Sequence, residues 1–346
     1  MSLLRIFGLI VALICFGLVF WRLRRHSESR TDVIFLTLFG TALFLVCLFP
    51  SLVNLPTEIL SLDTSERGRL FTLLIVSSVA LWFLFVSERG KTEHLARGFD
   101  GLVRSLAVER FENASAAIPA GAILVIIPAY NEKDNLDQTI PAIPKEIKGK
   151  PVVPLVIDDG SRDETCELCR SLHIPVARNL INRGGGAALR AGFDIARKAD
   201  ADVIVTMDGD GQHRPEDIGT LVEPIINDQA DLVIGSRLLG EMEQYSTLRY
   251  WGVILFGRMI SLLLGQKVTD PSSGFRAFTP NVLETCVLVQ DQYHTAELII
   301  EAAKHDLRIL ERPITILRRL SGTSKKGKDF KYALYFLRTI IRTWTR

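Results

Sequence analysis

The chain is expected to fold as an α/β domain on a mostly parallel sheet, preceded by an α-helical region that crosses a membrane. Three observations predict this. Short β-branched runs alternate with amphipathic helical patterns between Ala122 and Ile234, the signature of strands joined by crossover helices. Three apolar segments, residues 3–20, 33–53 and 70–86, crowd the first quarter, each near the ~20 residues that span hydrocarbon. Carboxylates and glycines gather where the strand patterns end, the edge at which open parallel sheets bind ligands.

At 346 residues and 48% hydrophobic content, the chain has room for one soluble domain and a membrane part. A net charge of only +2 gives a nucleic-acid partner no support. The first apolar segment is followed by Trp21-Arg22-Leu23-Arg24-Arg25 without a small-residue cleavage pattern, so it reads as an anchor and not a removable signal. Arg22, Arg24, Arg25 and Arg30 place the next loop in the cytoplasm, and Arg89, Lys91 and Arg97 do the same after the third segment. That gives three crossings of the plasma (inner) membrane and a cytoplasmic catalytic domain. The organisation expected is spans in 1–88, a juxtamembrane helix and linker in 89–120, the catalytic domain in 121–326 and a basic amphipathic helix in 327–346. Leu95, Phe99, Leu102 and Leu106 form the apolar stripe of the juxtamembrane helix, which rests on the bilayer or on the domain.

Strands are predicted at 122–127, 152–157, 174–177, 203–207 and 232–234. Helices are predicted at 135–143, 163–172, 185–198, 215–226 and 294–304. Residues 249–264 are very apolar yet charged, which suits an interfacial helix or a buried core helix. At the C-terminus Phe330, Leu334, Leu337, Ile341 and Trp344 share a face, with Lys331, Arg338, Arg342 and Arg346 around it, as in helices that lie among headgroups. Cys166 and Cys169 form a lone CxxC with no second pair, which argues against zinc; with Cys15, Cys47 and Cys286 they read as reduced, non-catalytic thiols.

The run from Asp202 to His213, DVIVTMDGDGQH, carries the most chemistry. Asp208 and Asp210, followed by Gln212, offer hard oxygen ligands to Mg²⁺ or Mn²⁺, which takes one or two carboxylates plus substrate phosphates. The competing reading is a solvated turn. After the first strand, Tyr130 is suited to stack on a nucleobase, while Glu132 or Asp159 accepts from a ring N–H. Asp158-Asp159-Gly160-Ser161 equally suits an Asx-turn and a helix N-cap. Asn182-Arg183-Gly184-Gly185-Gly186-Ala187 opens a helix and lets backbone amides approach phosphate, or simply packs the helix closely on the sheet.

Seven ordered motifs then coincide: PAYNE (128–132), DDGSRD (158–163), NRGGGAA (182–188), DGDGQH (208–213), GSR (235–237), TDPSSGFR (269–276) and RLSGTSK (319–325). Together they resemble a family 2 glycosyltransferase of the GT-A fold, nearest the polyprenol-phosphate mannose and glucose synthases, the dolichol-phosphate mannosyltransferase-like group. The resemblance implies that Pro128, Tyr130, Glu132, Asp158, Asp159, Gly186 and Asp208 bind a nucleotide-diphospho-sugar. It implies that Asp208, Asp210 and Gln212 hold Mg²⁺ or Mn²⁺, and that Arg237, Arg276, Arg319, Ser324 and Lys325 surround an acceptor phosphate. The implied reaction moves a hexose from a UDP- or GDP-sugar to polyprenyl phosphate with inversion, with Asp210 and Arg276 among the catalytic groups. A lipid phosphate is already an anion and needs no strong base; a hydroxyl acceptor would need one, and Asp270 or Glu297 is the candidate. Each of those also reads blandly, Asp270 as a turn starter and Glu297 as a solvated helix residue. The chain departs from the pattern at Gly209, where well-known members carry alanine, and in having its apolar helices before the domain. The alternatives are a transferase to a hydroxyl of a glycolipid or polysaccharide, disfavoured in its processive form by the lack of a QxxRW motif, and a non-catalytic scaffold that recruits a flippase. Besides donor, lipid acceptor and bilayer, a flippase or a second copy of the chain are the partners considered.

Overall fold

The computed structural model describes residues 3–25, 30–54, 57, 66–114, 118–241, 247–290, 293–318 and 329–346. The chain divides into two compact units, Met1–Leu95 and Ala96–Arg346. In the first, α1 (Leu3–Arg25) and α2 (Arg30–Leu48) pack on each other and a 3₁₀ turn, Pro50–Val53, follows. Small residues permit the contact: a Cβ on Gly8 would come within 2.4 Å of the Cys47 sulfur. Phe16 and Phe44 meet edge-on at 6.4 Å. Their outward faces carry Phe7, Leu13, Phe20 and Leu38, all exposed.

Among the described residues no helix is long and apolar enough to cross a membrane, so the expected three crossings are not supported. The third apolar segment does not stand alone either. It runs without a break through Glu88 and Lys91 into one 49-residue helix, α3 (Glu66–Ala114). The boundary expected at residue 88 thus falls inside a helix: nothing in this stretch breaks one, there being no proline and only isolated glycines.

The second unit is an α/β domain. An eight-stranded sheet contains β1 (Ile123–Ala129), β2 (Glu146–Ile147), β3 (Lys150–Asp158), β4 (Val176–Arg178), β5 (Val203–Thr206), β6 (Leu232–Ser236), β7 (Arg276–Phe278) and β8 (Ile309–Pro313). Its order is β2-β3-β1-β5-β7-β6-β8, with β4 also on β3. The pairs β1–β3, β1–β5, β3–β4 and β6–β8 are parallel. β7 is antiparallel to both β5 and β6, and β2 to β3, so the sheet is mixed where a mostly parallel one was expected. β7 is only three residues long, too short for a periodicity to announce it.

The helices between strands are α4 (Lys133–Ala142), α5 (Thr165–Ser171), α6 (Gly185–Lys198), α7 (Ile218–Ile226), α8 (Thr247–Leu264), α9 (Pro280–Thr285), α10 (His294–Lys304) and α11 (Asp329–Thr345). Side chains of β1 alternate between two cores, as the pleat requires. Leu124 and Ile126 face Phe193 and Ile195 of α6, Ile299 of α10 and Phe336 of α11 in one core. Ile123, Val125 and Ile127 face Leu136 of α4 and Leu221 and Val222 of α7 in the other. All five β1 side chains are fully buried, each contributing about 1.5–3 kcal/mol.

Helix α3 joins the first core through Val108 and Phe111, with Val103 and Ala107 also buried. Of the two positions expected for it, the described part beyond Ala96 adopts the one on the domain. The face packed on the domain is not the expected stripe: Leu95, Phe99 and Leu102 are exposed. The C-terminal helix likewise packs on the face opposite its stripe. Phe336, Thr339, Ile340 and Thr343 of α11 are buried, Phe336 against Phe256 of α8 and Tyr293, whereas Leu334, Ile341 and Trp344 point outward. α8 buries Val253 and Ile260 and exposes Trp251, Leu255 and Leu262, so it is neither wholly core nor wholly surface. All five cysteines are free and buried, and burial pushes the Cys169 thiol up to about 12.

Candidate active site

Sheet register decides which loops meet. Ala129 lies opposite Asp158, and Ile126 opposite Thr206, so the loops after β1, β3 and β5 leave the same rim side by side. Because β7 runs antiparallel, the loop that precedes it, 269–275, arrives at this rim between β5 and β6. The convergence expected from the sequence is present, with one loop more than the strand pattern alone implies.

The first two loops are zipped together. Asn131 N–H donates to Ser161 Oγ (2.9 Å), Glu132 N–H to Thr165 Oγ1 (3.1 Å), Lys133 N–H to Asp163 Oδ2 (3.3 Å) and Arg162 N–H to Asn131 Oδ1 (2.8 Å). Gly160 makes the turn possible: at φ +75° a Cβ would also sit 2.9 Å from Asn182 N. Asp158 is fully buried and accepts from Ser161 N–H at 2.8 Å, with Arg178 Nε 3.1 Å from its other oxygen. Asp159 is buried too and accepts from Asn179 Nδ2 (2.8 Å), Arg183 N–H (3.0 Å) and Gly184 N–H (2.7 Å). Burial raises its pKa above the ordinary carboxylate value; the three donors lower it, but not enough to cancel the desolvation. Asp158 thus closes its own turn through Ser161, and Asp159 ties that turn to the 179–184 segment. Glu132 is buried and accepts from Asn135 Nδ2 at 2.6 Å. Gly186 is buried in the first turn of α6, while Pro128 and Tyr130 remain partly exposed at the rim.

Asp208 and Asp210 follow β5 and are partly exposed, the Asp208 side chain by 40%. Gly274 lets the neighbouring loop in: a Cβ there would lie 2.8 Å from Asp208 Oδ1. Gly209 is tight as well, since an added Cβ would meet the Pro128 carbonyl oxygen at 3.0 Å. His213 is buried against Phe275 (4.8 Å), its Nε2 3.5 Å from Asp208 Oδ2. Gln212 N–H donates to Asp210 Oδ1 at 3.2 Å, an Asx-turn. Leu317 N–H donates to the Gln212 carbonyl at 2.9 Å, and Gln212 Nε2 returns a long contact of 3.5 Å to the Leu317 carbonyl. Among the described residues no three His, Cys, Asp or Glu form a metal-holding group. The donor set that remains, two partly exposed carboxylates and an amide, suits a hard cation that takes most ligands from substrate and water.

On the other half of the rim, Asp270, Arg237, Arg276 and Glu297 all make internal contacts. Asp270 is fully buried and forked onto Arg237, whose Nε and Nη2 donate at 2.6 Å each. Burial would raise its pKa, but Arg237 and Arg276 outweigh that and hold it below the ordinary value. A carboxylate so paired is a poor proton acceptor. Arg276 is buried and donates to the carbonyls of Ser273 (2.9 Å), Thr295 (2.6 Å) and Pro271 (3.1 Å), so it ties the 269–275 loop to α10. Desolvation, opposed by Asp270 and Glu311, brings its pKa down to about 9, still a cation at neutral pH. Glu297 is no solvated helix residue: it is fully buried and accepts from Val289 N–H (3.0 Å) and Gln290 N–H (2.9 Å), with Arg346 3.2 Å away. Arg237 is 13% exposed and also donates to Ser272. Arg319, Ser324 and Lys325 lie outside the described residues.

Sequence reasoning passed over Glu311, which accepts from Thr269 N–H (2.8 Å) and Asp270 N–H (3.1 Å) and so caps the 269–275 loop from β8. It also passed over Asn179 and Asp100, whose partners Asp159, Arg183 and Arg190 are distant in sequence and leave no local signal.

Residues 124–287 match the profile of Glycosyl transferase family 2. The chain is 32% identical over 214 residues to a UDP-N-acetylglucosamine–dolichyl-phosphate N-acetylglucosaminyltransferase of Methanococcus voltae, covering 56% of this chain and 84% of that one. It is 30% identical to a polyprenol monophosphomannose synthase of Mycolicibacterium smegmatis, covering 65% and 88%. In three dimensions it is similar to glucosyl-3-phosphoglycerate synthase from Mycobacterium tuberculosis, solved with Mn²⁺, UDP and glucosyl-3-phosphoglycerate (TM-score 0.52, 19% identity, 69% of this chain and 84% of that one). With a GT-A-like sheet and homologues matched over most of their length, this chain belongs to glycosyl transferase family 2.

Proposed function

We propose that the protein is a membrane-associated, inverting hexosyltransferase that moves a sugar from a UDP- or GDP-sugar to polyprenyl phosphate with the help of Mg²⁺ or Mn²⁺. The observation that carries this reading is the pair Asp208 and Asp210, two residues apart and partly exposed at the rim where the loops after β1, β3 and β5 leave the sheet side by side. Asp208, Asp210 and Gln212 would hold the cation, which when bound neutralises charge on the departing diphosphate.

The chain's own residues do the rest. The zipped 130–133 and 158–165 loops give the base a rigid wall beside Tyr130, and Asp159 holds the 183–184 amides where the diphosphate would pass. Rigidity matters because positioning is most of the catalysis available when the nucleophile is already an anion. Asp270 and Glu297 being tied up favours such an acceptor over a hydroxyl that needs a base. Phosphate recognition falls to Arg319, Ser324 and Lys325, and the chain enters that segment from Leu317, pinned to Gln212. Exposed Trp251, Leu255 and Leu262 on α8, Leu334, Ile341 and Trp344 on α11, and the apolar faces of α1 and α2 support contact with the lipid that presents the acceptor. The catalytic domain would then work on the cytoplasmic side of the membrane.

The test is direct. Membranes expressing the chain, given labelled UDP- and GDP-sugars and polyprenyl phosphate, should transfer label to the organic phase, and Asp210→Ala should abolish it. Transfer undiminished in that variant rejects the metal assignment. No nucleotide release with any donor would leave only the scaffold reading.

A further inference from the structure

We propose that Asp100 of helix α3 is a positioning residue for the nucleotide-sugar, holding the 182–186 loop in place through Arg183 and Arg190. The proposal rests on the donor-site reading above and deepens it. Arg183 is gripped from two sides. Its backbone N–H donates to Asp159 at 3.0 Å, which fixes it to the rim. Its guanidinium lies over the Phe99 ring, 5.7 Å from the centroid, with Nε 3.6 Å from Asp100 Oδ1. The other Asp100 oxygen is 3.0 Å from Arg190 Nη2, in the body of α6. Arg190 reaches on to the Gln290 carbonyl at 3.1 Å.

The contact specifies a register, not just an attachment. Asp100 and Arg104, one turn apart on α3, face Arg190 and Asp194, one turn apart on α6, and Arg104 Nε lies 2.9 Å from Asp194 Oδ2. Sliding α3 by one turn would oppose like charges. Apolar burial of Val103, Ala107 and Phe111 already supplies adhesion. A largely buried ion pair adds little net stability after desolvation, so its contribution lies in the geometry it imposes. That geometry ends at Arg183, one residue from the loop glycine whose amide Asp159 holds.

The experiment uses the full chain in detergent micelles, with UDP and GDP in the presence of Mg²⁺ as binding probes. Asp100→Asn should weaken nucleotide binding and raise the donor KM by about five- to tenfold, the scale of one charge-assisted contact, with kcat and acceptor KM nearly unchanged. Asp100→Glu should restore most of the loss. The pair Asp100→Arg with Arg190→Asp re-forms the α3–α6 bridge but repels Arg183, so donor binding should stay weak even though the helix is docked. Normal donor affinity in Asp100→Asn, or its recovery in the swapped pair, overturns the proposal. So does a parallel rise in both KM values with a fall in Tm, which marks a purely structural residue. Wild-type protein that binds neither nucleotide overturns the donor-site reading instead.

Discussion

The two halves of the rim use carboxylates in opposite ways. On the β1–β3–β5 side, Asp158, Asp159 and Asp163 accept largely from backbone N–H groups and build loops, and they leave Asp208 and Asp210 facing outward. On the β6–β7–β8 side, Asp270 is bound to Arg237, and Arg276 is spent on three carbonyls. Motif residues that look alike as ligands are therefore of two kinds. Some stay partly exposed at the rim, and some are buried and hold the loops in place. The difference is set by what surrounds each side chain: a buried ion has to be neutralised internally, whereas a rim carboxylate keeps contact with solvent.

Mutations can break this division. Arg276→Ala should cost about 4–5 kcal/mol of stability, since it leaves three carbonyls without donors and a cavity behind, and denaturant unfolding would read it. A stable Arg276→Ala protein that has lost only acceptor binding would move that residue to the other class. Asp210→Asn should do the reverse, lowering turnover about 10³-fold, about 4 kcal/mol in the barrier, with Tm unchanged.

Asp270→Asn sharpens the contrast through pH. Its folded pKa is held below the ordinary value, so the ionised form stabilises the fold. That contribution is complete above the unfolded value of about 4 and is lost as pH falls through the folded one. Acid titration of unfolding should show a shallower loss below about pH 4 in Asp270→Asn than in wild type. The smallest effect is expected at Gly209→Ala, about 1 kcal/mol or less, because the new methyl meets a carbonyl oxygen 3.0 Å away that has to shift slightly. A loss of turnover beyond a few fold there would mean that the loop tolerates no movement.

Much of the domain was legible from periodicity. The five anticipated strands are present, and α6 and α10 match the expected 185–198 and 294–304 in full. β2, β7 and β8 were missed: β2 and β7 are two and three residues long, and β8, ILERP, is a polar edge strand with no apolar alternation. The amphipathic stripes of α3 and α11 were seen, but not that the opposite face of each is the one packed on the domain. Both helices carry two apolar faces, and only packing tells which one is covered.

The sequence by itself determined the strand–helix alternation, the loops that bear chemistry and the family, because each depends on residues close together along the chain. Only the tertiary structure decided which charged groups are ligand-facing. That depends on burial and on partners such as Glu311 and Asp100, dozens of residues away from the loops they hold. Desolvation acts on a side chain's surroundings in space, and the order of residues does not encode those surroundings locally.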